Sequence, residues 1–235
     1  MKIELFDDEI GAVEYIDHMG SDLSVVNAAR VSFGKEKEDL NDKDIKLINY
    51  LMSHNHTSPF EHCNITFRFT VPLFIRSQHH RHRTWAYNEI SRRYTSIDMK
   101  FYTPTSFRSQ HESNRQASTE LLTNPIVYCS GHDHSFEMNG PATNMVRNHH
   151  AISLSLYESM LKAGVCREQA RGVLPQNLYT EYYGTVNLHN LLKFVSLRTH
   201  AGAQWEIQKV ANACLEIAKQ YFPHSVKAYK KVHME

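Results

Sequence analysis

Long apolar runs are absent from this sequence of 235 residues, and no segment approaches the about 18 residues that a membrane-spanning helix requires. The first segment, MKIELFDDEIGAVEYIDHMG, is acidic and has no signal-peptide core. The four cysteines lie far apart and form no CxxC pair, which argues against a zinc ribbon or a disulfide framework. We therefore expect a cytoplasmic protein with no membrane partner.

A large excess of charge is also lacking. The formal net charge of +1 argues against a general nucleic-acid coat protein, and we expect no nucleic-acid partner. Residues 76–94 nevertheless contain five arginines and one glutamate, a local balance of +4, so the remainder of the chain sums to −3. Arginine stays charged and binds phosphate bidentately, so this cluster favours a small anionic ligand. A solvated basic face is the alternative interpretation.

Glycine loops that hold nucleotides are missing, since the chain has no GxGxxG, Walker, GxSxG or kinase signature. A nucleotide cofactor would therefore not be held by a Rossmann glycine loop. Internal repeats and low-complexity linkers are missing too. Length and composition predict one globular domain over residues 1–235.

Strand and helix patterns alternate without a regular βαβ rhythm, which predicts an α+β fold. Residues 105–140, rich in Ser, Asn, His and Gln, are interpreted as an irregular excursion. Period-two alternation or β-rich composition predicts strands in KIELFDD, HCNITFRFTV, SIDMKFYTP and NLYTEYYGTV. Helical spacing predicts helices in NDKDIKLINYLMSHN (capped by Asn41 or Asp42), LFIRSQHHRHR, TNMVRNHHAISLSLYESMLKAG (ended by Gly164), REQARGVLP, NLHNLLKFVSLRTH and about residues 203–221, where Pro223 stops the last one.

The arginine cluster contains RHRTWAYNEISRRY, residues 81–94. Arg81 and Arg83 flank a histidine and cannot both point one way on a helix, which indicates two ligands, or one ligand and one structural partner. Glu89 can accept a hydrogen bond from a base or ribose, or pair with an arginine. Ser91 can hydrogen-bond a phosphate.

A histidine-rich segment, HNHTSPFEH, offers a second candidate site. His54, His56, Glu61 and His62 are of types that bind zinc or iron. Their spacing is not HExxH, however, and Pro59 breaks any helix that would align them. We therefore expect no metal and favour a network of hydrogen-bonded histidines.

A third candidate lies in LYTEYYGTVNLHNLLKFVSLRTH. Asn187 and Arg198 lie eleven residues apart, about three helical turns, and therefore share a helix face. Arg198 also complements the dipole at the end of its helix, which explains it adequately without a ligand. Arg171, in REQARGVLP, is similarly ambiguous.

The segment RHRTWAYNEIS has the form RHR, seven residues, then serine, and resembles the signature of the flavin-dependent thymidylate synthases. Further segments resemble that family in the same order, over nearly all the chain except about residues 105–140. They are AARVSF, HTSPFEH, SRRY, VLPQNLYTEYYGTVN and LRTHAGAQWEIQ.

This resemblance implies an enzyme that converts dUMP to dTMP. The methylene carbon would come from methylenetetrahydrofolate, and the hydride from FAD that NADPH reduces. It also implies a central sheet flanked by helices, and a homotetramer whose active sites are shared between subunits. The arginine cluster would then face the dUMP phosphate and the FAD.

The resemblance also implies roles for individual residues. Arg198 would be catalytic, because its charge beside the uracil carbonyl favours ionised N3 and pushes electron density to C5. His56 would lie near the flavin and the folate. The residues implied to contact dUMP are Gln78, Arg81, Glu89, Ile90, Ser91, Arg92, Arg93, Arg171 and Arg198. Those implied to contact FAD are Ser58, Arg81, His82, Arg83, Glu89, Asn187, His189 and Lys193.

The chain departs from the family pattern at several positions. His189 stands where arginine is usual, and Lys193 where asparagine or histidine is common. Gly202 occupies a position that often has a flavin-stacking histidine, and QHH before the signature replaces an aromatic pair. These differences imply a locally rebuilt flavin pocket. Position 92 is often glycine, so a contact from the backbone of Arg92 is an alternative there.

Two rival functions follow from the same residues. One is a nucleotide-binding protein without catalytic activity on the same scaffold. The other is a phosphohydrolase that uses a histidine-bound metal to act on a nucleotide. Bound flavin would separate the thymidylate synthase hypothesis from these two rivals, and metal content would test the phosphohydrolase.

Overall fold

The computed structural model describes residues 1–115, 117–131 and 136–234. Contacts between Cα atoms divide the chain into two compact units. Unit 1 contains Met1–Val71, Ile75–Glu89 and the chain from Glu181 onward, and unit 2 contains Pro72–Phe74 and Ile90–Thr180. The expectation of a single domain over residues 1–235 stays a prediction.

The secondary structure mixes helices and strands, so the predicted α+β class is confirmed. The strands of the described ranges are β1 (Lys2–Glu4), β2 (Ala12–Met19), β3 (Asn64–Pro72), β4 (Ala86–Glu89), β5 (Phe107–Gln110), β6 (Ser118–Leu122), β7 (Ile126–Ser130), β8 (Glu137–Pro141) and β9 (Tyr179–Asn187). The α-helices are α1 (Asp22–Arg30), α2 (Asp42–Ser53), α3 (Leu73–His79), α4 (Ala142–Lys162), α5 (Arg167–Ala170), α6 (Leu188–Arg198), α7 (Trp205–Tyr221) and α8 (Pro223–His233).

A five-stranded sheet forms the centre of unit 1, in the order β1-β2-β3-β9-β4. The pairs β1–β2, β2–β3 and β4–β9 are antiparallel. Side chains link β3 to β9, because the Thr66 and Thr185 hydroxyls lie 2.9 Å apart and Arg68 pairs with Glu181 at 2.8 Å. Strand β9 ends at Asn187 and is followed directly by α6, the helix that ends at Arg198.

The core of unit 1 follows the predicted periodicities. In β3 and the residue before it, Cys63, Ile65, Phe67 and Phe69 are all buried, as the alternation predicts. On α6 the apolar stripe is buried too, and it consists of Leu188, Leu191, Leu192 and Val195. On α7 the buried residues include Ile207, Val210, Cys214 and Ile217. Asn41 caps α2 by accepting from the Lys43 amide at 2.9 Å, which confirms that cap. Apolar burial on one helix face and one sheet face therefore fixes these elements.

In unit 2, two of the predictions from the sequence are wrong. The stretch 105–140 is not an irregular excursion, because its described residues form two antiparallel hairpins, β5–β6 and β7–β8; residues 116 and 132–135 lie outside the described ranges. SIDMKFYTP forms no strand, since it contributes only one isolated bridge, Phe101 to Leu178. Gly164 does follow the end of α4, with φ of 90°, a conformation that glycine tolerates best.

Several elements have no counterpart in the predictions. Strands β2 and β4 and helix α1 were not expected, and LFIRSQHHRHR is helical only as far as His79. Pro223 ends α7 but also begins α8, where proline at the first position leaves the helix intact. Within the described ranges, no helix is both long and apolar enough to cross a membrane.

Candidate active site

The arginine-rich signature begins in a tight turn between α3 and β4 of unit 1. The His82 amide donates to the His79 carbonyl at 2.9 Å, which closes the turn. The Tyr87 hydroxyl lies 2.9 Å from the His79 carbonyl and 3.1 Å from the His82 carbonyl, and shares its proton between them. The backbone that presents residues 81–83 is therefore fixed by a side chain of the next strand.

Arg198, the last residue of α6, meets this turn. Its Nε donates to Nε2 of His82 at 3.0 Å, and its Nη2 donates to the Gln78 carbonyl at 3.3 Å. The third nitrogen, Nη1, donates to no residue that the structure describes. Burial lowers the pKa of Arg198 from its ordinary value, but arginine remains charged at any working pH. These two hydrogen bonds fix the orientation of the guanidinium.

His82 is the acceptor in this pair. Burial lowers the pKa of its imidazole to about 4, and the charges of Arg198 and Lys193 act in the same direction. A neutral imidazole has one nitrogen that accepts, and the guanidinium contact assigns that role to Nε2. The site therefore holds a neutral histidine against a charged arginine.

His79 supports the turn from behind, although it was assigned no role from the sequence. It is fully buried, its Nδ1 lies 2.8 Å from the Tyr182 hydroxyl, and its ring packs against Phe69 and Phe194. Burial holds its pKa well below the ordinary value. The His80 ring packs against that of Tyr87, with 4.1 Å between the centroids and an interplanar angle of 31°. His79 and His80, which replace the aromatic pair usual in the family, therefore both pack against aromatic rings.

The other charged residues of the signature differ in their partners. Glu89 pairs with Arg76, with its Oε1 3.2 Å from Nε, so the arginine partner lies outside the signature. The side chains of Arg81 and Arg83 are exposed, and neither forms an ion pair with a residue of the described ranges. Two cations of the turn therefore remain for an anionic ligand.

A cavity of about 270 Å³ in unit 1 contains three of the residues predicted from the resemblance, His56, His189 and Lys193. Ser58 lies outside its lining, at the start of a short 3-10 helix, and Asn187 caps α6 by accepting from the Asn190 amide at 2.9 Å. The remaining wall is mainly apolar and comes from α2, α6, α8 and the segment after α2: Leu51, Met52, Asn55, Thr57, Phe60, Leu192, Ser196, Leu197, Tyr229 and His233.

The remaining predicted residues, Ile90, Ser91, Arg92, Arg93 and Arg171, lie in unit 2. Ser91 Oγ accepts from the Arg93 amide at 3.2 Å. Arg92 donates to the Ile97 carbonyl at 2.8 Å and the Tyr179 carbonyl at 3.4 Å, so its side chain holds the local backbone. The Arg93 guanidinium lies 3.4 Å from the Glu168 carboxylate, an exposed pair, and Arg171 is exposed.

The histidine-rich segment packs around Tyr50, the residue of α2 that His54 and His56 both contact. In the part of the chain that the structure describes, no group of three or more His, Cys, Asp or Glu side chains is arranged to hold a metal. His54 stacks on Tyr50, and its Nδ1 lies 2.9 Å from the Tyr50 carbonyl. His56 also stacks on Tyr50, with 5.9 Å between the ring centroids.

Sequence reasoning missed the side chains that orient the site. Tyr87, Tyr182 and His79 act through backbone carbonyls and buried packing, which no residue pattern marks. Gln204 bonds to Gln78 and to Glu206, and both Gln204 and Glu206 lie within the segment LRTHAGAQWEIQ, whose pattern indicates no role for either. The only signal was their presence in that segment.

Comparison with known proteins identifies the class. The family model described as "Thymidylate synthase complementing protein" matches residues 14–224. The chain belongs to this family, and so it is an enzyme, a methyltransferase. The relatives' names make the family more specific, as flavin-dependent thymidylate synthases, and the resemblance seen in RHRTWAYNEIS is confirmed.

Two curated relatives and one solved structure show the extent of the similarity. The flavin-dependent thymidylate synthase of Thermotoga neapolitana is 41% identical, and the match covers 98% of this chain and 95% of the relative. That of Thermus thermophilus is 40% identical, with 96% and 77% covered. The crystal structure of the UMP/dUMP methylase PolB from Streptomyces cacaoi bound with 5-Br dUMP is 32% identical, covers 98% of both chains and has a TM-score of 0.80.

Proposed function

We propose that this chain reductively methylates dUMP to dTMP, with methylenetetrahydrofolate as carbon donor and with FAD, reduced by NADPH, as hydride source. The names of the relatives support the flavin and the product, and the 5-Br dUMP in the PolB structure supports the nucleotide. The observation that carries the proposal is Arg198, whose fork is oriented by His82 and by the Gln78 carbonyl and keeps Nη1 for a ligand.

The residues present fit FAD. A diphosphate needs cations without counter-charges, and Arg81 and Arg83 are exposed and have no ion-pair partner in the described ranges. A flat ring system needs an apolar wall with a few polar groups, as in the cavity that contains His56, His189 and Lys193. These residues, with Ser58, His82, Glu89 and Asn187, would hold the cofactor. When bound, FAD supplies the hydride that completes the new methyl group.

Arg198 has the catalytic role in this proposal. Transfer of a one-carbon unit to C5 requires electron density at that carbon, and loss of the N3 proton would supply it by placing negative charge on the pyrimidine ring. A guanidinium already oriented by two hydrogen bonds stabilises that charge without reorganisation. Neutral His82 matters because a protonated imidazole would repel Arg198 and lose the contact that orients it.

Residues of unit 2 are also proposed to contact dUMP. Ser91, with its oxygen bonded to the Arg93 amide, keeps its hydroxyl proton to donate to the phosphate. Arg93 and Arg171 are exposed cations suited to the phosphate and the uracil, respectively, and Ile90 offers a partly exposed apolar surface. Arg92 would contribute through its backbone, because its side chain already bonds two carbonyls.

The absorption spectrum of the purified chain tests this proposal against its rivals. We expect the visible bands of oxidised flavin, bleached by NADPH without oxygen and restored when dUMP and methylenetetrahydrofolate are added. A protein that binds dUMP, cannot be loaded with flavin and contains stoichiometric metal would favour the phosphohydrolase instead. Light scattering tests the proposed homotetramer, whose mass would be four times 27.3 kDa.

A further inference from the structure

Three polar side chains of unit 1 form a directed chain of hydrogen bonds that ends next to Arg198. Nε2 of Gln78 donates to Oε1 of Gln204, and Nε2 of Gln204 donates to Oε2 of Glu206 at 2.9 Å. Glu206 lies in the first turn of α7 and is buried, with 4% of its surface exposed. Gln78 is also the residue whose carbonyl accepts from Arg198 Nη2.

The carboxylate at the end of this chain fixes the direction of both amides. Because the Glu206 oxygen accepts from Nε2 of Gln204, the Gln204 oxygen faces Gln78. Gln78 must then turn its NH₂ group towards Gln204. Its Oε1, which accepts no hydrogen bond from any residue in the described ranges, is left to face a ligand. Without this anchor, either amide could rotate by half a turn at little cost.

We propose that Glu206 determines base specificity, as a positioning residue that acts through Gln204 to present the Oε1 acceptor of Gln78 beside the Nη1 donor of Arg198. This inference rests on the proposed function. An acceptor next to a donor complements the imide edge of neutral uracil, where N3–H donates and the adjoining carbonyl oxygen accepts. The contact selects the base before charge develops on the ring.

Cytosine is the informative competitor. It has the same size and shape but presents an N3 acceptor in place of N3–H and an amino donor in place of O4. With Gln78 Oε1 fixed outwards, two acceptors face each other at N3. Such a mismatch leaves buried polar groups unpaired and discriminates strongly between bases. If the Gln78 amide could turn, its NH₂ group would donate to cytosine N3 instead.

The test compares the affinities of dUMP and dCMP for the FAD-loaded enzyme by calorimetry. Glu206→Gln keeps the shape of the anchor but lets it donate as well as accept, so both amides can turn. We expect the ratio of the dUMP and dCMP affinities to fall on the order of tenfold or more, by weaker dUMP binding and tighter dCMP binding. Gln204→Leu breaks the chain at its middle link and should reduce the ratio in the same way.

Glu216→Gln is the matched control. It removes a carboxylate from the same helix, where Glu216 pairs with Lys230 at 2.6 Å, and should leave the ratio unchanged. A purely structural role of Glu206 would weaken both nucleotides equally and preserve their ratio, which would overturn the inference. An unchanged ratio in Gln204→Leu would overturn it as well, whether or not Glu206→Gln folds. A flavin-loaded parent enzyme that does not bind dUMP would instead refute the proposed function on which the inference rests.

Discussion

Nε of Arg198 donates a hydrogen bond of 3.0 Å to Nε2 of His82, across 116 residues of sequence. Guanidinium nitrogens only donate, so this contact exists only while His82 is neutral. Protonation of His82 would place an N–H against an N–H and a charge against a charge. The geometry at the end of α6 is therefore coupled to the protonation state of one imidazole.

Stability should fall as this imidazole is forced to take up a proton. The pKa of His82 is lowered from 6.5 to about 4 in the folded chain, with burial as the main cause. Between these values the unfolded chain binds the proton and the folded chain does not, so acid favours unfolding. The contribution is complete above about pH 6.5 and is lost as the pH falls towards 4. The pKa values of His79 and His80 are lowered as well and act in the same direction.

Urea denaturation between pH 7 and pH 4 measures this effect, with pH values chosen to span the titration. We expect the free energy of unfolding to fall with pH less steeply in His82→Gln, which cannot titrate but can still accept from Arg198. His62→Gln, at an exposed histidine of the same unit, serves as the control. Equal slopes in the parent and His82→Gln would show that the pKa of His82 is not lowered in the folded chain.

Replacement of Arg198 by lysine should separate catalysis from helix capping. Lysine also complements the C-terminal dipole of α6, an effect of about 0.3–1 kcal/mol, but it lacks the planar fork that bonds His82 and Gln78 at once. We expect Arg198→Lys to form dTMP about 10²–10³-fold more slowly, since one preorganised donor is lost. Its melting temperature, bound flavin and oxidation of NADPH should stay close to the parent. A nearly unchanged rate of dTMP formation would leave only the helix-end role.

Ser91 should bind phosphate and not act as a nucleophile. Among the described residues of its unit, its hydroxyl contacts only the Arg93 amide, and no base is bonded to it. Ser91→Ala should weaken dUMP binding by about 1–2 kcal/mol, the value of one charge-assisted hydrogen bond, in a calorimetric titration. Ser155→Ala, at an exposed serine of α4, serves as the control. Mass-spectrometric detection of a covalent adduct between Ser91 and the nucleotide would contradict this role.

The cysteines should be dispensable for the chemistry. Burial raises the pKa of the Cys63 thiol to about 11 and that of Cys214 well above its ordinary value, so neither is a thiolate at neutral pH. Cys129 and Cys166 are exposed and lie in no histidine-paired motif. A variant with all four replaced by alanine should still form dTMP, apart from any loss of folding. A folded variant with one cysteine replaced that binds dUMP but is inactive would indicate a thiolate mechanism.

The sequence predicted those parts of the fold in which one face is buried. The stripe of Leu188, Leu191, Leu192 and Val195 predicts α6, and the alternation from Cys63 to Phe69 predicts β3, because burial imposes a period on each. The hairpins within residues 105–140 show no such alternation, since Ile126, Tyr128 and Cys129 of β7 are all exposed. A two-stranded ribbon without a buried face leaves no period in its sequence.

A proline near the end of a helix is a weaker signal than the period of the buried residues. Pro223 was interpreted as a stop, but proline at the first position of a helix is also a start, and α8 follows it directly. In the candidate site, the resemblance indicated Arg198 and His82 separately. Their contact depends on the turn that Tyr87 fixes and on the path of β9 into α6. Such long-range pairings cannot be derived from one sequence.

The most direct test of the proposed activity follows the transferred carbon. The FAD-loaded enzyme is incubated with dUMP, NADPH and methylenetetrahydrofolate labelled with ¹³C in its methylene group, and the nucleotide is analysed by mass spectrometry. We expect dTMP with the label in its methyl group, formed only when all three substrates are present. A protein that has bound FAD and dUMP but returns the nucleotide unmethylated would contradict the proposed function.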